Sequence, residues 1–143
     1  SQLDDIAQAM WKQVSECLES DSEGNPLGVV ALRGVMGAGK TTIVRALGQA
    51  AGIDGEAVSP TFGLVQCYQR GHWQLFHLDL YRLNSESEAW DLGLTEYFDS
   101  DALCLVEWPE QAPGLLPERA VMLEVKVKGE HDTGARELIL SQS

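Results

Sequence analysis

The chain has 143 residues and a net charge of −12, from 10 lysines and arginines against 22 aspartates and glutamates. This length predicts one domain over residues 1–143 and excludes a separate second catalytic domain. The acidic surplus predicts no strong direct binding of nucleic acid, because a polyanion is repelled at long range. Any role in nucleic-acid metabolism is therefore expected to act through a protein partner.

Cysteine usage and hydropathy bear on the cellular compartment. The three cysteines, Cys17, Cys67 and Cys104, are an odd number at wide spacing, which suits neither a disulfide framework nor a zinc site. We interpret them as small buried residues of a protein in a reducing cytosol. No uninterrupted apolar span reaches the roughly 18 residues that a membrane helix needs, so we expect a cytoplasmic protein without membrane association.

The first third of the chain alternates helix and strand patterns. Apolar residues recur at helical spacing near the start and predict an amphipathic helix, which ends before the turn-rich residues 20–26. Residues 28–33 predict a short buried strand, and residues 41–51 predict a helix closed by Gly52. The apolar positions of the first helix are Leu3, Ile6, Met10, Val14 and Cys17.

The rest of the chain is richer in strand patterns. Residues 64–68 and 73–78 flank Arg70-Gly71 and predict an antiparallel hairpin. Residues 102–106 are apolar throughout, which is typical of a central buried strand. Two last strands are expected to complete the sheet at its edge, giving a three-layer α/β sandwich with a mixed parallel and antiparallel sheet. The last strands are residues 121–127 and 137–140, and the predicted short helices are residues 86–92 and 95–98.

A phosphate-binding pattern stands between the first strand and the second helix. Residues 34–41 fit G-x-x-x-x-G-K-[ST], with a strand before and a helix after, as such a loop requires. Backbone N–H groups and the helix N-terminus then form a nest for the phosphates of a nucleotide. Lys40 is expected to neutralise the outer phosphate oxygens, and the Thr41 hydroxyl to hold Mg²⁺. A glycine-rich turn without a ligand is the competing interpretation.

Two acidic residues follow apolar strands. Asp79 follows residues 75–78, and Glu107 follows residues 102–106. Ligands of open α/β sheets collect beyond the carboxyl ends of parallel strands. Nucleotide hydrolysis needs carboxylates there to position the metal and its waters, so the pair favours a functional role over surface residues at strand ends.

Four motifs in series resemble the bacterial TsaE (YjeE) family. They are residues 37–42 (GAGKTT), 59–62 (SPTF), 77–83 (HLDLYRL) and 107–110 (EWPE), and the resemblance runs from about residue 27 to residue 116. It implies a P-loop NTPase-like fold and an ATPase that is slow without partners. It also implies support for the threonylcarbamoyl modification of adenosine 37 in tRNA, as a partner of the TsaB–TsaD complex, without transfer of the group by this chain.

The resemblance also implies roles for individual residues. ATP phosphates are expected to contact the loop, with Mg²⁺ bound by Thr41 and Glu107, and with Asp79 at the acidic switch or Walker B position. Thr61 would sense the last phosphate as part of a first switch; an ordinary loop turn is the alternative. The catalytic set is Lys40, Asp79, Glu107 and Thr61; the nucleotide-binding set is Gly37, Ala38, Gly39, Lys40, Thr41, Thr42 and Trp108; the metal set is Thr41, Glu107 and Asp79.

The sequence does not decide the roles of three nearby side chains. Trp108 either packs beside the nucleotide or belongs to the core. His77 shares a strand side with Asp79, yet a packed histidine is favoured over a ligand. Arg82 as an arginine finger is less favoured than a surface ion pair.

The phosphate loop departs from the family in one place. Val35 and Met36 stand where the family has Asp-Leu. Because these loop positions act mainly through backbone N–H groups, we expect nucleotide binding to survive. The change removes any hydrogen bond or metal-water contact that the side chain of that Asp supplies in the family. The hydrolysis rate is therefore the property that we expect to be affected.

Two other functional classes remain possible on sequence alone. A small-molecule kinase would need an arginine-rich lid, whereas the arginines here are scattered. A nucleotide-dependent interaction switch with slow hydrolysis would use a partner surface, for which the acidic residues between Asn84 and Asp101 are the natural candidate. A solvated helical face is the more favoured interpretation of these acidic residues.

Overall fold

The structure is a computed structural model that describes residues 2–34, 40–53, 64–127 and 136–142. Helices and strands alternate along these residues, with two 3₁₀ turns after the fifth strand. The helices are α1 (Gln2–Glu16), α2 (Lys40–Ala50), α3 (Glu86–Asp91) and α4 (Thr95–Phe98). The strands are β1 (Glu19–Ser20), β2 (Pro26–Arg33), β3 (Val65–Arg70), β4 (Trp73–Asp79), β5 (Leu103–Glu107), β6 (Val121–Val127) and β7 (Arg136–Gln142), and the 3₁₀ turns are Pro109–Gln111 and Pro113–Leu115.

The sheet is mixed, as predicted. Its strand order is β3-β4-β5-β2-β6-β7, and the short β1 pairs with β2 off this path. Neighbours among β4, β5, β2 and β6 pair in parallel, whereas β3 and β7 pair antiparallel at the two edges. All five residues of β5 are buried, which follows from a central parallel strand that is covered on both faces.

The sheet separates two hydrophobic cores. On one face, Val30 and Leu32 of β2 pack with residues of α1 and α2. On the other face, Val29 and Ala31 pack with residues of α3, α4 and the 3₁₀ turns. Alternate residues of one strand thus enter opposite cores, as the pleat requires, and the predicted three-layer arrangement is confirmed.

A few boundaries differ from prediction. β6 and β7 complete one edge of the sheet, as predicted, but β7 extends over Arg136–Gln142 and not over residues 137–140 alone. β1 was not predicted, because two residues are too short to show a periodicity. None of the described helices combines the length and the hydropathy that a bilayer span needs.

The cysteines divide into two kinds. Cys67 and Cys104 are buried, whereas Cys17 is exposed, and all three thiols are free. Burial raises the pKa of the Cys104 thiol to about 12, against a smaller opposing effect of the Arg119 guanidinium. The prediction of small buried residues is therefore right for Cys67 and Cys104 and wrong for Cys17, which follows the last residue of α1.

Candidate functional site

The carboxyl ends of three parallel strands meet at one level of the sheet. Leu32 of β2 pairs in register with Glu107 of β5, and Glu107 pairs in register with Asp79 of β4. β2 ends at Arg33 and α2 begins at Lys40, so the phosphate-loop sequence connects this edge of the sheet to the start of α2. The predicted strand and helix on either side of that sequence are confirmed.

Several predicted site residues fall outside this description. Gly37, Ala38 and Gly39 lie outside the described residues, and so does Thr61. Lys40, Thr41 and Thr42 form the first residues of α2, and their side chains lie outside the description as well. Their roles in binding phosphate and metal stay predictions. The described part of the site consists of Asp79, Glu107, Trp108 and their neighbours.

Glu107 is the last residue of β5 and is buried. Its side chain is 2% exposed, and its Oε2 lies 2.6 Å from Nε2 of His77, whose side chain is 11% exposed. An ionised carboxylate only accepts hydrogen bonds, so with ionised Glu107 the donor is an imidazole tautomer that carries its proton on Nε2. Among the described residues, Glu107 is the one polar or charged residue that belongs to the buried set, and burial of such a group requires hydrogen-bonding partners.

Strand alternation directs the two acids and the histidine to one face. Leu75 of β4 and both Leu103 and Leu105 of β5 belong to the core beneath α1 and α2. Side chains two residues apart on a strand share a face, so His77, Asp79 and Glu107 are on the α2 side of the sheet. That is the side on which the helix after the phosphate-loop sequence packs.

Asp79 has a more open environment than Glu107. The residue is half-buried, and its Oδ1 accepts a hydrogen bond of 3.1 Å from the backbone N–H of Tyr81. A carboxylate that accepts from the backbone two residues on forms an Asx turn, which here ends β4. The backbone N–H of Leu80, the residue after Asp79, donates to the Glu107 carbonyl over 3.1 Å. The ends of β4 and β5 are therefore joined through the backbone.

Trp108 follows Glu107 in an unusual backbone conformation. Its φ is 59° and its ψ is 50°, and among the described residues it alone combines a side chain with a positive φ. Its ring centroid lies 5.0 Å from that of Tyr81, at an interplanar angle of 45°. Trp108 also packs against the core beneath α3 and α4, which supports the core interpretation, and contact with a nucleotide stays a prediction.

A small cavity adjoins the histidine. It has a volume of about 130 Å³ and lies between α2 and the β3–β4 hairpin. His77 and Leu75 line it from β4, Gln66 and Tyr68 from β3, and Arg45 from α2. No local sequence pattern indicates Gln66 and Arg45 as neighbours of the site, since only the packing of α2 and the hairpin on each other brings them near His77. Arg82, a candidate arginine finger, is exposed in the turn after β4.

The carboxylates of Asp79 and Glu107 suit a magnesium ion that takes its other ligands from nucleotide phosphates. Among the described residues, no group of three or more His, Cys, Asp or Glu side chains is placed to hold a metal. Magnesium is usually bound by one or two carboxylates together with substrate phosphates, and seldom by an all-protein cage. Two carboxylates at the strand ends, beside a phosphate-loop sequence with its threonine, match that donor set.

Comparison with known proteins finds one family. The family model "Threonylcarbamoyl adenosine biosynthesis protein TsaE" matches residues 2–138. The tRNA threonylcarbamoyladenosine biosynthesis protein TsaE of Haemophilus influenzae is 40% identical over 97 residues, 68% of this chain and 61% of that protein. The protein of the same name from Treponema pallidum is 37% identical over 113 residues, 79% of this chain and 81% of its own length.

A third bacterial relative and a solved structure give the same result. TsaE of Bacillus subtilis is 39% identical over 107 residues, which cover 75% of this chain and 66% of that protein. The crystal structure of Bacillus subtilis YdiB superposes with a TM-score of 0.68 at 28% identity, over 96% of this chain and 78% of the other. The matches span less than two thirds of the H. influenzae and B. subtilis proteins. With a family model that matches nearly its whole length, the chain belongs to the TsaE family of threonylcarbamoyl adenosine biosynthesis proteins.

Proposed function

We propose that this chain is a Mg²⁺-dependent ATP-binding and ATP-hydrolysing protein. Its activity would support the threonylcarbamoyl modification of tRNA adenosine as a partner of a TsaB–TsaD type complex. The observation that carries the proposal is the placement of the Glu107 carboxylate. It is buried and in register with the end of β2, the strand that leads into the phosphate-loop sequence.

The chemistry at this edge follows from the residue types. Loop amides and the Lys40 ammonium would bind the triphosphate, while Thr41 and Glu107 would hold the metal. Bound Mg²⁺ would neutralise charge that develops on the phosphates during hydrolysis. Asp79, half-buried at the same level, would orient a water molecule from its more open position.

The partner role is supported by family membership and by charge. The family is named for threonylcarbamoyl adenosine biosynthesis, whereas this chain carries a net charge of −12. Such a charge disfavours direct contact with the tRNA backbone. The proposal therefore assigns tRNA contact and group transfer to the partners, and nucleotide turnover to this chain.

The test measures phosphate release from Mg-ATP by the full chain, alone and with TsaB and TsaD proteins. Hydrolysis should be slow alone and rise at least about tenfold with the partners. Lys40→Ala should abolish it, because the phosphates lose their point charge. Lys12→Ala, an exposed lysine of α1, is the matched control and should behave like the wild type.

A binding measurement separates loss of binding from loss of chemistry. At a hundredfold excess over Kd, Mg-ATP should raise the free energy of unfolding by about 2.7 kcal/mol in the wild type, and not in Lys40→Ala. Unchanged stabilisation in that variant would remove the loop from the site. Phosphoryl transfer to an added metabolite, with no response to the partners, would favour a small-molecule kinase instead.

A further inference from the structure

We propose that His77 is a positioning residue that holds the Glu107 carboxylate in the orientation required by Mg²⁺, a role that rests on the proposed function of Glu107. The contact joins Nε2 of His77 to Oε2 of Glu107 over 2.6 Å. It links two neighbouring parallel strands. Neither side chain belongs to a loop, so both ends of the contact are fixed by the sheet.

The register makes the contact diagonal across the two strands. His77 is paired with Leu105, two residues before Glu107, while Asp79 is directly paired with Glu107. His77 thus reaches towards the carboxyl edge from below the level of the acids. A glutamate side chain has three rotatable bonds, and a donor that fixes one carboxylate oxygen also fixes the direction of the other.

Asp79 has a different task in this arrangement. Its Oδ1 is used by the Tyr81 amide of its own turn, so it shapes the end of β4. His77 contacts Glu107 and also lines the small cavity beneath α2. The His77 side chain thus contacts the buried carboxylate directly.

Fold stability alone is a poor explanation for this contact. A buried polar or ionic pair can often be exchanged for apolar side chains with little loss, or with a gain, in stability. The surrounding positions of β4 and β5 are apolar and fully buried, as at Leu78 and Leu105. A histidine and a glutamate in this setting indicate an oriented metal ligand. Residues that orient metal ligands typically change metal affinity by 10–100-fold when they are replaced.

The experiment compares His77→Leu with His77→Gln by calorimetry of ADP binding, with Mg²⁺ and in EDTA. His77→Leu removes the donor and should reduce the Mg²⁺-dependent gain in affinity by about tenfold or more. Binding in EDTA should stay within about twofold, because the phosphate loop is untouched. In His77→Gln an amide donor of similar reach should keep the gain within about threefold of wild type.

Coupling to Glu107 distinguishes positioning from an independent effect. In a Glu107→Gln background, His77→Leu should cause no further loss of the Mg²⁺-dependent gain. His72→Leu is the matched control, since His72 is an exposed histidine whose side chain contacts Glu23 away from the site. If His77→Leu does not fold, His77→Asn replaces it, because its shorter amide does not reach the carboxylate.

A second readout uses the unloaded protein. Nitrogen-15 NMR of the His77 ring should show a protonated Nε2 that donates to Glu107, and Glu107→Gln should shift this signal. A ring protonated at Nδ1 alone would overturn the proposal. An unchanged Mg²⁺-dependent gain in His77→Leu would overturn it while leaving the proposed function intact. A wild-type protein without any such gain would overturn both.

Discussion

The ends of β4 and β5 follow the same sequence pattern and have different structures. Each strand is apolar and ends in an acid, and the two acids pair in register. Glu107 ends the central strand, is 2% exposed and contacts a histidine. Asp79 ends a strand one place nearer the sheet edge, is half-buried, and contacts the backbone of its own turn. Position in the sheet, and not the local sequence, sets the environment of each acid.

This difference suits two chemical tasks. A dehydrated carboxylate with a fixed orientation is suited to bind a metal directly, because little water competes for it. A carboxylate near solvent is suited to order a mobile water molecule. Three experiments on substitutions at and directly after these strand ends test how far the difference extends.

The largest expected effect is on the stability of the nucleotide-free chain. Glu107→Ala should lower the free energy of unfolding by about 3 kcal/mol, because it leaves the His77 ring, which is 11% exposed, without its partner and leaves a cavity where a buried side chain stood. Asp79→Ala should cost about 1 kcal/mol, the usual value of one partly exposed hydrogen bond. Urea unfolding measures both values, and equal losses would contradict the comparison.

A smaller effect is expected on hydrolysis when Asp79 loses only its charge. Asp79→Asn keeps an oxygen that accepts from the Tyr81 amide, so stability should change by less than about 0.5 kcal/mol. Partner-stimulated phosphate release should fall about a hundredfold, or about 2.7 kcal/mol in the barrier. Asp91→Asn, at an exposed position of α3, is the control, and a rate like that of wild type in Asp79→Asn would remove Asp79 from the chemistry.

The smallest expected effect concerns the backbone after Glu107. Trp108→Gly and Trp108→Ala both remove the ring, but only glycine adopts a φ of 59° without strain. The glycine variant should therefore be more stable than the alanine variant by about 1 kcal/mol. At Gln49, an exposed residue of α2, the order should reverse. Thermal unfolding of the four variants measures both differences in stability. If the alanine variant at position 108 is as stable as the glycine variant or more stable, the backbone at this position is not strained.

Much of the fold follows from local patterns. The apolar run at residues 102–106 predicts the central strand, observed as Leu103–Glu107, and the hairpin at residues 64–78 is observed as β3 and β4. Such patterns reflect burial of single elements. They do not contain the strand order, so the parallel pairing of β6 with β2 was not predicted.

The described part of the site was predicted in position but not in its contacts. Asp79 and Glu107 were expected at strand ends, because acids after apolar strands are typical of such sites. The contact between His77 and Glu107 depends on the neighbour and register of two strands, which no local pattern specifies. The left-handed backbone of Trp108 was also missed, since glycine and asparagine are its usual signals.

The two turns beyond these strands are tied to each other. The Leu80 amide donates to the Glu107 carbonyl, and the Gln111 side chain donates to the Tyr81 carbonyl over 3.1 Å. The turn that carries the exposed Tyr81 ring, which is 46% accessible, therefore cannot move away from the end of β5 without breaking a hydrogen bond or displacing the backbone next to the buried acid.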